Sequence, residues 1–155
     1  MKDENWDVAV FSSLSSSPSR MEASKAADHY GLFHGHDTET SDALQAYPQA
    51  KLGGTRTWVR LPKDRWPAKW VKEDRRDPVV PLDLALYGHP DAGGYWELKC
   101  NGHFVKVGFE PITDWRSCYF HPKLRLFLVI YVDDFKLSGP PGCACQGLGT
   151  YWFWP

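Results

Sequence analysis

Residues 126–139 read LFLVIYVDDFKLSG, and in this stretch an apolar run ends in two acidic residues. Residues 126–132 carry no charge and are rich in branched and aromatic side chains, which is typical of a strand with both faces covered. A second short apolar segment, 135–137, follows the acids and is closed by Ser-Gly and Pro-Pro. The pattern predicts strand, tight turn and strand, with Asp133 and Asp134 at the tip of a hairpin.

Paired carboxylates at a turn suit a divalent cation. Two ionised carboxylates repel each other, and a cation bound between them makes the arrangement favourable. Hard oxygen ligands select Mg²⁺ or Mn²⁺ rather than Zn²⁺. One further carboxylate from elsewhere in the chain would complete a two-ion site for phosphoryl transfer. The alternative is a plain polar hairpin tip, because Asp is a common turn residue.

Composition limits the classes of protein to consider. The 155 residues predict one domain with one core, and the net charge of −1 gives no support to a free-standing nucleic-acid binder, a class that is usually strongly basic. No apolar run approaches the 18 or more residues of a membrane span. The four Cys residues show no metal-ligand spacing and follow no signal peptide. We therefore expect a soluble, intracellular protein with reduced thiols.

The chain divides into three parts. Residues 1–20 include a Ser-rich stretch with too little apolar content to fold, and predict a disordered leader. Residues 21–139 predict the folded domain, and residues 140–155 predict an irregular C-terminal tail. Within the domain we expect a helix over 21–30, a strand leading into Asp42, helical turns over 82–87, and a helix carrying the apolar stripe Trp96, Cys100, Phe104 and Val107. Residues 117–120 should pair with 124–132, so the predicted class is α+β.

A basic segment lies between the strand and the striped helix. Residues 56–76 contain eight Lys or Arg against three Asp or Glu, with Trp58, Trp66 and Trp70 between them. Interleaved cations and aromatic rings could follow a phosphate backbone and stack bases. The alternative is a solvated surface loop, too interrupted for regular structure, whose Trp side chains anchor it to the core.

Four blocks of the chain, in order, resemble the reverse transcriptases of copia-type retrotransposons. YVDD at 131–134 resembles the [FY]-x-D-D hairpin of that family. SDALQAY at 41–47 is similar to its first catalytic block, in which an Asp is followed four and five residues later by Ala and an aromatic; Asp42, Ala46 and Tyr47 occupy those places. ALYGHPDAGGYWE at 85–97 resembles the A-L-Y-G block, with Trp96 eight residues after Gly88. VGFEPITDWRSCYF at 107–120 is similar to the segment that joins this helix to the hairpin.

The resemblance implies a fold and a reaction. The fold would be a polymerase palm, an antiparallel sheet with the YVDD hairpin packed against helices, with partial fingers and no thumb. The reaction would be RNA-directed DNA synthesis, a nucleotidyl transfer to a primer 3′-hydroxyl assisted by two Mg²⁺ or Mn²⁺ ions. Its partners would be an RNA or DNA template-primer and deoxynucleoside triphosphates. We expect weak or no activity, because thumb and ribonuclease H regions are not recognisable in the chain.

The resemblance also implies roles for individual residues. Asp42, Asp133 and Asp134 would be the metal-binding catalytic carboxylates; Asp42 could alternatively be a helix N-cap. Tyr47 would press against the sugar of the incoming nucleotide, or be a core aromatic. The predicted nucleotide-binding set is Tyr47, Gly88 and Asp91, and the predicted primer and template contacts are Tyr131, Arg56, Arg60, Arg65 and Trp66.

Two departures from the family pattern bear on these roles. The family places Gln, a small residue, Pro and Arg where this chain has Asp91, Ala92, Gly93 and Gly94. An acid in place of an Arg should weaken binding to a polyanion. The basic fingers segment expected before the first block is replaced by the Ser-rich leader. A rival hypothesis is therefore a non-catalytic nucleic-acid-binding remnant that uses residues 56–76.

Overall fold

The computed structural model of the protein describes residue 16 and residues 18–141. These residues form a five-stranded antiparallel sheet with one long helix on each face and a separate two-stranded sheet. The prediction of an α+β fold is confirmed. The strand order in the large sheet is β1-β7-β6-β5-β4, so the first strand of the chain pairs with the last.

The centre of the sheet is built from three consecutive strands. They are β5 (Cys118–His121), β6 (Leu126–Tyr131) and β7 (Asp134–Gly139). Five of the six residues of β6 are buried, as its uncharged sequence requires of a strand covered on both faces. Cys118 pairs with Val129 and His121 with Leu126, so the turn between β5 and β6 lies at residues 122–125.

The two edges of the sheet differ in length. At one edge β1 (Asp37–Asp42) pairs with all six residues of β7, from Asp37 opposite Gly139 to Asp42 opposite Asp134. At the other edge β4 (Glu110–Pro111) pairs with β5 over two residues. The predicted strand leading into Asp42 is therefore present.

Helix α1 (Met21–Gly31) covers one face of the sheet. Its buried Ala23 and Ala27 pack with Phe127 and Val129 of β6. The small Ala side chains leave room for the aromatic and branched side chains of β6 against this helix. The predicted helix over residues 21–30 is confirmed.

Helix α3 (Ala92–Lys106) covers the opposite face. The predicted stripe is confirmed except at Val107, which follows the last helical residue and is only partly buried. Trp96, Cys100 and Phe104 are all at most 6% exposed. They pack against Leu128 and Ile130, whose side chains leave β6 on the face opposite Phe127 and Val129. This is the larger of the two clusters that flank the sheet and contains most of the buried aromatic rings; a third, small cluster consists of Ala50, Ala85 and Ala92.

Residues 51–88, which we call the connecting segment, join β1 to α3. They contain β2 (Trp58–Arg60), α2 (Ala68–Lys72) and β3 (Val79–Pro81), and β2 pairs with β3. The sequence predicted irregular structure after β2, and this was wrong for α2, which begins after Pro67. The helical turns predicted over 82–87 are also absent. Leu84 instead forms an isolated antiparallel bridge with Lys51, and backbone pairing has replaced local helical bonds.

The packed region begins before the predicted boundary at Met21. Ser19 is 6% exposed and its N–H donates to the Ile130 carbonyl at 3.3 Å. The rest of the predicted leader, residues 1–15 and 17, and residues 142–155 of the predicted tail, with Cys143 and Cys145, lie outside the described residues. Among the helices that the structure describes, none is long and apolar enough to cross a membrane.

Candidate active site at the hairpin tip

The structure brings Asp42 next to the hairpin acids. Asp42 and Asp134 are register partners in the β1–β7 pair, although they are far apart in the sequence. Directly opposed residues of an antiparallel pair direct their side chains to the same face, with Cβ atoms roughly 4.5–5.5 Å apart. Both residues are exposed. Two carboxylates thus stand side by side at one end of the sheet.

Asp133 occupies the turn between β6 and β7. Tyr131 pairs with Asp134, so Val132 and Asp133 form a two-residue hairpin loop. Val132 has φ of +57°, which is costly for a β-branched residue. Backbone strain of this kind is typical of functional sites, where the surrounding structure maintains it.

Two hydrogen bonds from outside the hairpin hold this turn. The Trp96 indole N–H donates to the Val132 carbonyl at 2.6 Å, and the Ala43 N–H donates to the Asp133 carbonyl at 2.8 Å. The first bond ties the turn to α3 and the second ties it to the end of β1. The position of Asp133 relative to Asp42 is therefore fixed by backbone contacts rather than by its own side chain.

The donor chemistry at the tip suits a hard cation, but a ligand cluster is not assembled. Carboxylate oxygens are the ligands that Mg²⁺ and Mn²⁺ prefer. Within residues 16 and 18–141, however, no three His, Cys, Asp or Glu side chains are grouped closely enough to hold a metal ion. Asp42, Asp133 and Asp134 therefore do not form one coordination set in the structure.

Tyr47 lies beside the tip on the α3 side of the sheet. It begins a 3₁₀ turn (Tyr47–Gln49) that directly follows the turn after β1, and it is half-buried. Burial raises the pKa of the Tyr47 hydroxyl, and the neighbouring Tyr87 hydroxyl and Asp133 carboxylate raise that pKa further. Tyr47 therefore lies within electrostatic reach of Asp133. Its ring also packs against the larger core, so the predicted binding role and the core role are both compatible with its position.

Tyr87 is a neighbour of Tyr47 for which the sequence predicted no role. The two ring centroids are 4.5 Å apart with an interplanar angle of 35°. Tyr87 is 53% exposed. It lies in the A-L-Y-G block just before Gly88, and its place in that block was the only signal in the sequence that pointed to it.

The other predicted tip residues differ in their exposure. Tyr131, at the end of β6, is 56% exposed beside Asp134, its register partner. Gly88 has φ of +89°, which the turn requires of it, and a Cβ at this position would meet no protein atom within 4 Å, so its role in nucleotide binding stays a prediction. Asp91 is only 2% exposed. This burial argues against direct contact with a nucleotide, and the binding role of Asp91 stays a prediction.

The predicted primer and template contacts of the connecting segment are occupied by local partners. Arg60 pairs with Asp77 at 2.8 Å, and Arg65 pairs with Asp64 at 3.4 Å. The Arg56 guanidinium lies 5.5 Å from the Trp58 ring centroid. The Trp66 indole N–H donates to the Leu61 carbonyl at 2.9 Å. These contacts stabilise the segment itself, and the ion pairs are exposed and individually weak.

Comparison of the chain with family models, with curated proteins and with solved structures found no match. The likeness to reverse transcriptases therefore depends on the four sequence blocks. The geometry of the tip is an independent observation, because the β1–β7 register does not follow from those blocks.

Proposed function

We propose that the chain is a palm-like fragment of a copia-type reverse transcriptase, an RNA-directed DNA polymerase whose site comprises Asp42, Asp133 and Asp134. The observation that carries the proposal is the register of β1 with β7, which sets Asp42 directly opposite Asp134. A plain polar hairpin tip would require no third acid at this place. The resemblance supplies all three acids, and the register supports the pairing of two of them, Asp42 and Asp134.

The division of roles follows from the positions of the side chains. Asp42 and Asp134 share one face of the sheet, and Asp133 projects from the strained turn near Tyr47. Two Mg²⁺ or Mn²⁺ ions held by these carboxylates would lower the pKa of a primer 3′-hydroxyl and neutralise the triphosphate. In this proposal the exposed Tyr131 ring would support the primer end, and the Tyr47 ring would limit space at the sugar. The hydrogen bonds from Trp96 and Ala43 position the turn.

Direct ion binding is the first test. Mn²⁺ binding to the full chain, followed by electron paramagnetic resonance, should depend on all three acids. Asp42→Asn and Asp133→Asn should each weaken Mn²⁺ binding by at least about tenfold, because each removes one charged ligand of a shared site. Asp37→Asn is the matched control, since Asp37 is an exposed acid at the opposite end of the same strand.

Primer extension tests the reaction itself. A template-primer, deoxynucleoside triphosphates and Mn²⁺ should give weak extension that disappears in the Asp133→Asn/Asp134→Asn variant. Weak activity is expected because the elements that clamp a duplex are not recognisable, and positioning supplies much of the rate. Extension that persists in this variant would rule out the hairpin acids as the catalytic site. Equal Mn²⁺ binding by the Asp42→Asn and Asp37→Asn variants would rule out Asp42.

A second candidate function is metal-independent nucleic-acid binding by residues 56–76. It is favoured by a hollow in the connecting segment that is lined by Trp66, Trp70 and several cations, among them Lys63 and Arg76. Binding of a single strand would be salt-sensitive and would need no divalent ion. It would weaken in Trp66→Ala and Arg65→Ala and would be unchanged in Asp133→Asn/Asp134→Asn. The local ion pairs of Arg60 and Arg65 make this the weaker of the two proposals.

A further inference from the structure

The connecting segment places an exposed aromatic ring beside the hairpin tip. Residues 83–85 run antiparallel to 50–52: the Leu52 N–H donates to the Asp83 carbonyl at 2.9 Å, and the Ala85 N–H donates to the Ala50 carbonyl at 2.8 Å. The Ala50 N–H in turn donates to the Tyr47 carbonyl at 2.8 Å. These hydrogen bonds hold residues 83–85 beside the 3₁₀ turn of Tyr47, and Tyr87 follows two residues later.

Among the described residues, the aromatic ring that lies against Tyr87 is that of Tyr47. Tyr47 lies against it at a centroid distance of 4.5 Å, and more than half of the Tyr87 residue is exposed. Gly88 follows with open space around it, so no side chain from the next residue limits access to the ring. A large flat ring exposed in this way gains free energy by stacking with another flat ring.

The 3₁₀ turn that supports the pair is itself anchored. The Lys99 ammonium of α3 donates to the Gln49 carbonyl at 2.6 Å, and the Gln49 side-chain amide donates to the Leu44 carbonyl at 2.8 Å. The Tyr47 ring also packs against the core. Tyr47 is therefore a rigid backing, and the tyrosine pair is a preformed platform that needs little ordering on binding.

We propose that Tyr87 is a base-stacking residue, with Tyr47 as its backing ring, and that it takes one base of a single-stranded nucleic acid passing the hairpin tip. The ligand class follows from the proposed function, on which this inference depends for naming a nucleic acid. Every base offers a flat π-face, so the contact is tolerant of sequence. Tyr47 and the turn residue Val132 line one hollow together with Trp96, so the platform lies beside the hairpin tip.

The experiment separates stacking from metal chemistry. Fluorescence anisotropy measures binding of a short labelled oligodeoxyadenylate and of an abasic strand of the same length, in EDTA and at low salt. The protein used is the full chain with Asp133→Asn/Asp134→Asn, which removes charge repulsion with the phosphates. We call it the parent, and all further substitutions are made in it. The parent should bind the adenine strand about fivefold or more tightly than the abasic strand, since one stacked base contributes at least ~1 kcal/mol and 1.4 kcal/mol corresponds to tenfold.

Substitutions at Tyr87 then test the ring itself. Tyr87→Leu keeps apolar bulk against Tyr47 but lacks a flat face, and should bring the ratio of the two affinities close to one. Tyr87→Phe keeps the face and should retain the ratio. Phe33→Ala is the matched control, because Phe33 is 50% exposed and follows α1 at the other end of the sheet. Circular dichroism and a thermal melt verify that each variant is folded.

Two results would overturn the inference: a parent that does not distinguish the two strands, or a Tyr87→Leu variant with the ratio of the parent. The second result would assign the base-dependent binding to another surface, such as residues 56–76. Failure of the proposed polymerase is a different outcome, since primer extension could be absent while the ratio depends on Tyr87 as expected.

Discussion

The five-stranded sheet and the connecting segment are stabilised by contacts of different range. In the sheet, β1 pairs with β7, so the first and last strands in the sequence are neighbours, and five of six residues of β6 are buried. In the connecting segment, α2 has no buried residue, and four ion pairs among the described residues join partners within the segment. A site that needs groups distant in sequence can form only where such long-range pairing exists. The acids at the sheet end meet this requirement, whereas the cations of the connecting segment are held by near neighbours.

Truncation of a side chain to Ala should give the largest difference in lost stability between the sheet and the connecting segment. Leu128 is fully buried between β5 and β7, and Leu128→Ala should reduce the free energy of unfolding by about 2–5 kcal/mol through lost contacts and a cavity. Val71→Ala in α2 should change it by less than about 0.5 kcal/mol, because Val71 is 63% exposed. Urea denaturation measures both. Comparable losses would mean that the connecting segment has a core of its own.

Glycine substitutions give the next largest difference. A Cβ at Gly139 would lie 2.6 Å from the Arg125 carbonyl oxygen, whereas at Gly88 it would meet nothing within 4 Å. Both have positive φ, so each Ala variant incurs roughly 1–3 kcal/mol of backbone strain. Gly139→Ala should lose a further 1–3 kcal/mol, roughly, from overpacking. Equal melting temperatures for the two variants would contradict the close packing of Gly139 against the Arg125 carbonyl.

Ion-pair removal should produce a smaller contrast. The Lys136 ammonium of β7 contacts the Asp28 carboxylate at 2.8 and 3.0 Å and the Ser24 hydroxyl at 2.8 Å, which ties α1 to the sheet. Lys136→Met should cost about 1 kcal/mol, because the lysine side chain is only 23% exposed. Arg60→Met, which breaks an exposed pair, should cost less than about 0.5 kcal/mol. Thermal melts at low and high salt measure the loss of stability in each variant. A larger loss in Arg60→Met than in Lys136→Met would contradict the prediction.

The smallest expected effect is a pH dependence from α3. Burial lowers the pKa of His103 below 6.5, and the charges of Lys106 and Lys99 lower it further. The unfolded chain then binds the proton more readily than the folded one, so this stability is present above pH 6.5 and is lost as the pH falls through 6.5 toward the folded pKa. His103→Gln should flatten the decline in unfolding free energy over this range. A wild-type and variant that decline in parallel would assign the pH dependence to other groups.

Much of the fold could be predicted from the sequence because its strongest signals are local. The apolar run of 126–132, the stripe of α3 and the Ala-rich α1 each specify an element by periodicity and composition. The predictions failed in the connecting segment, where periodicity is weak. Residues 82–87 contain good helix formers, but pairing with 50–52 gave their backbone groups other partners. Tertiary contacts overrode a local propensity of less than about 1 kcal/mol per residue.

The candidate site was predictable in its residue types and not in its geometry. Local sequence was enough to specify a hairpin-forming stretch with acids at its turn, an acid at the end of an earlier strand, and the apolar faces that hold both. The packing of the whole domain was needed to bring β1 next to β7 and so to set Asp42 opposite Asp134. It was also needed to bury Asp91 and to bring the Tyr87 ring against Tyr47. Strand order and register are settled by the burial of whole faces against α1 and α3, a collective free energy that no local stretch of sequence contains.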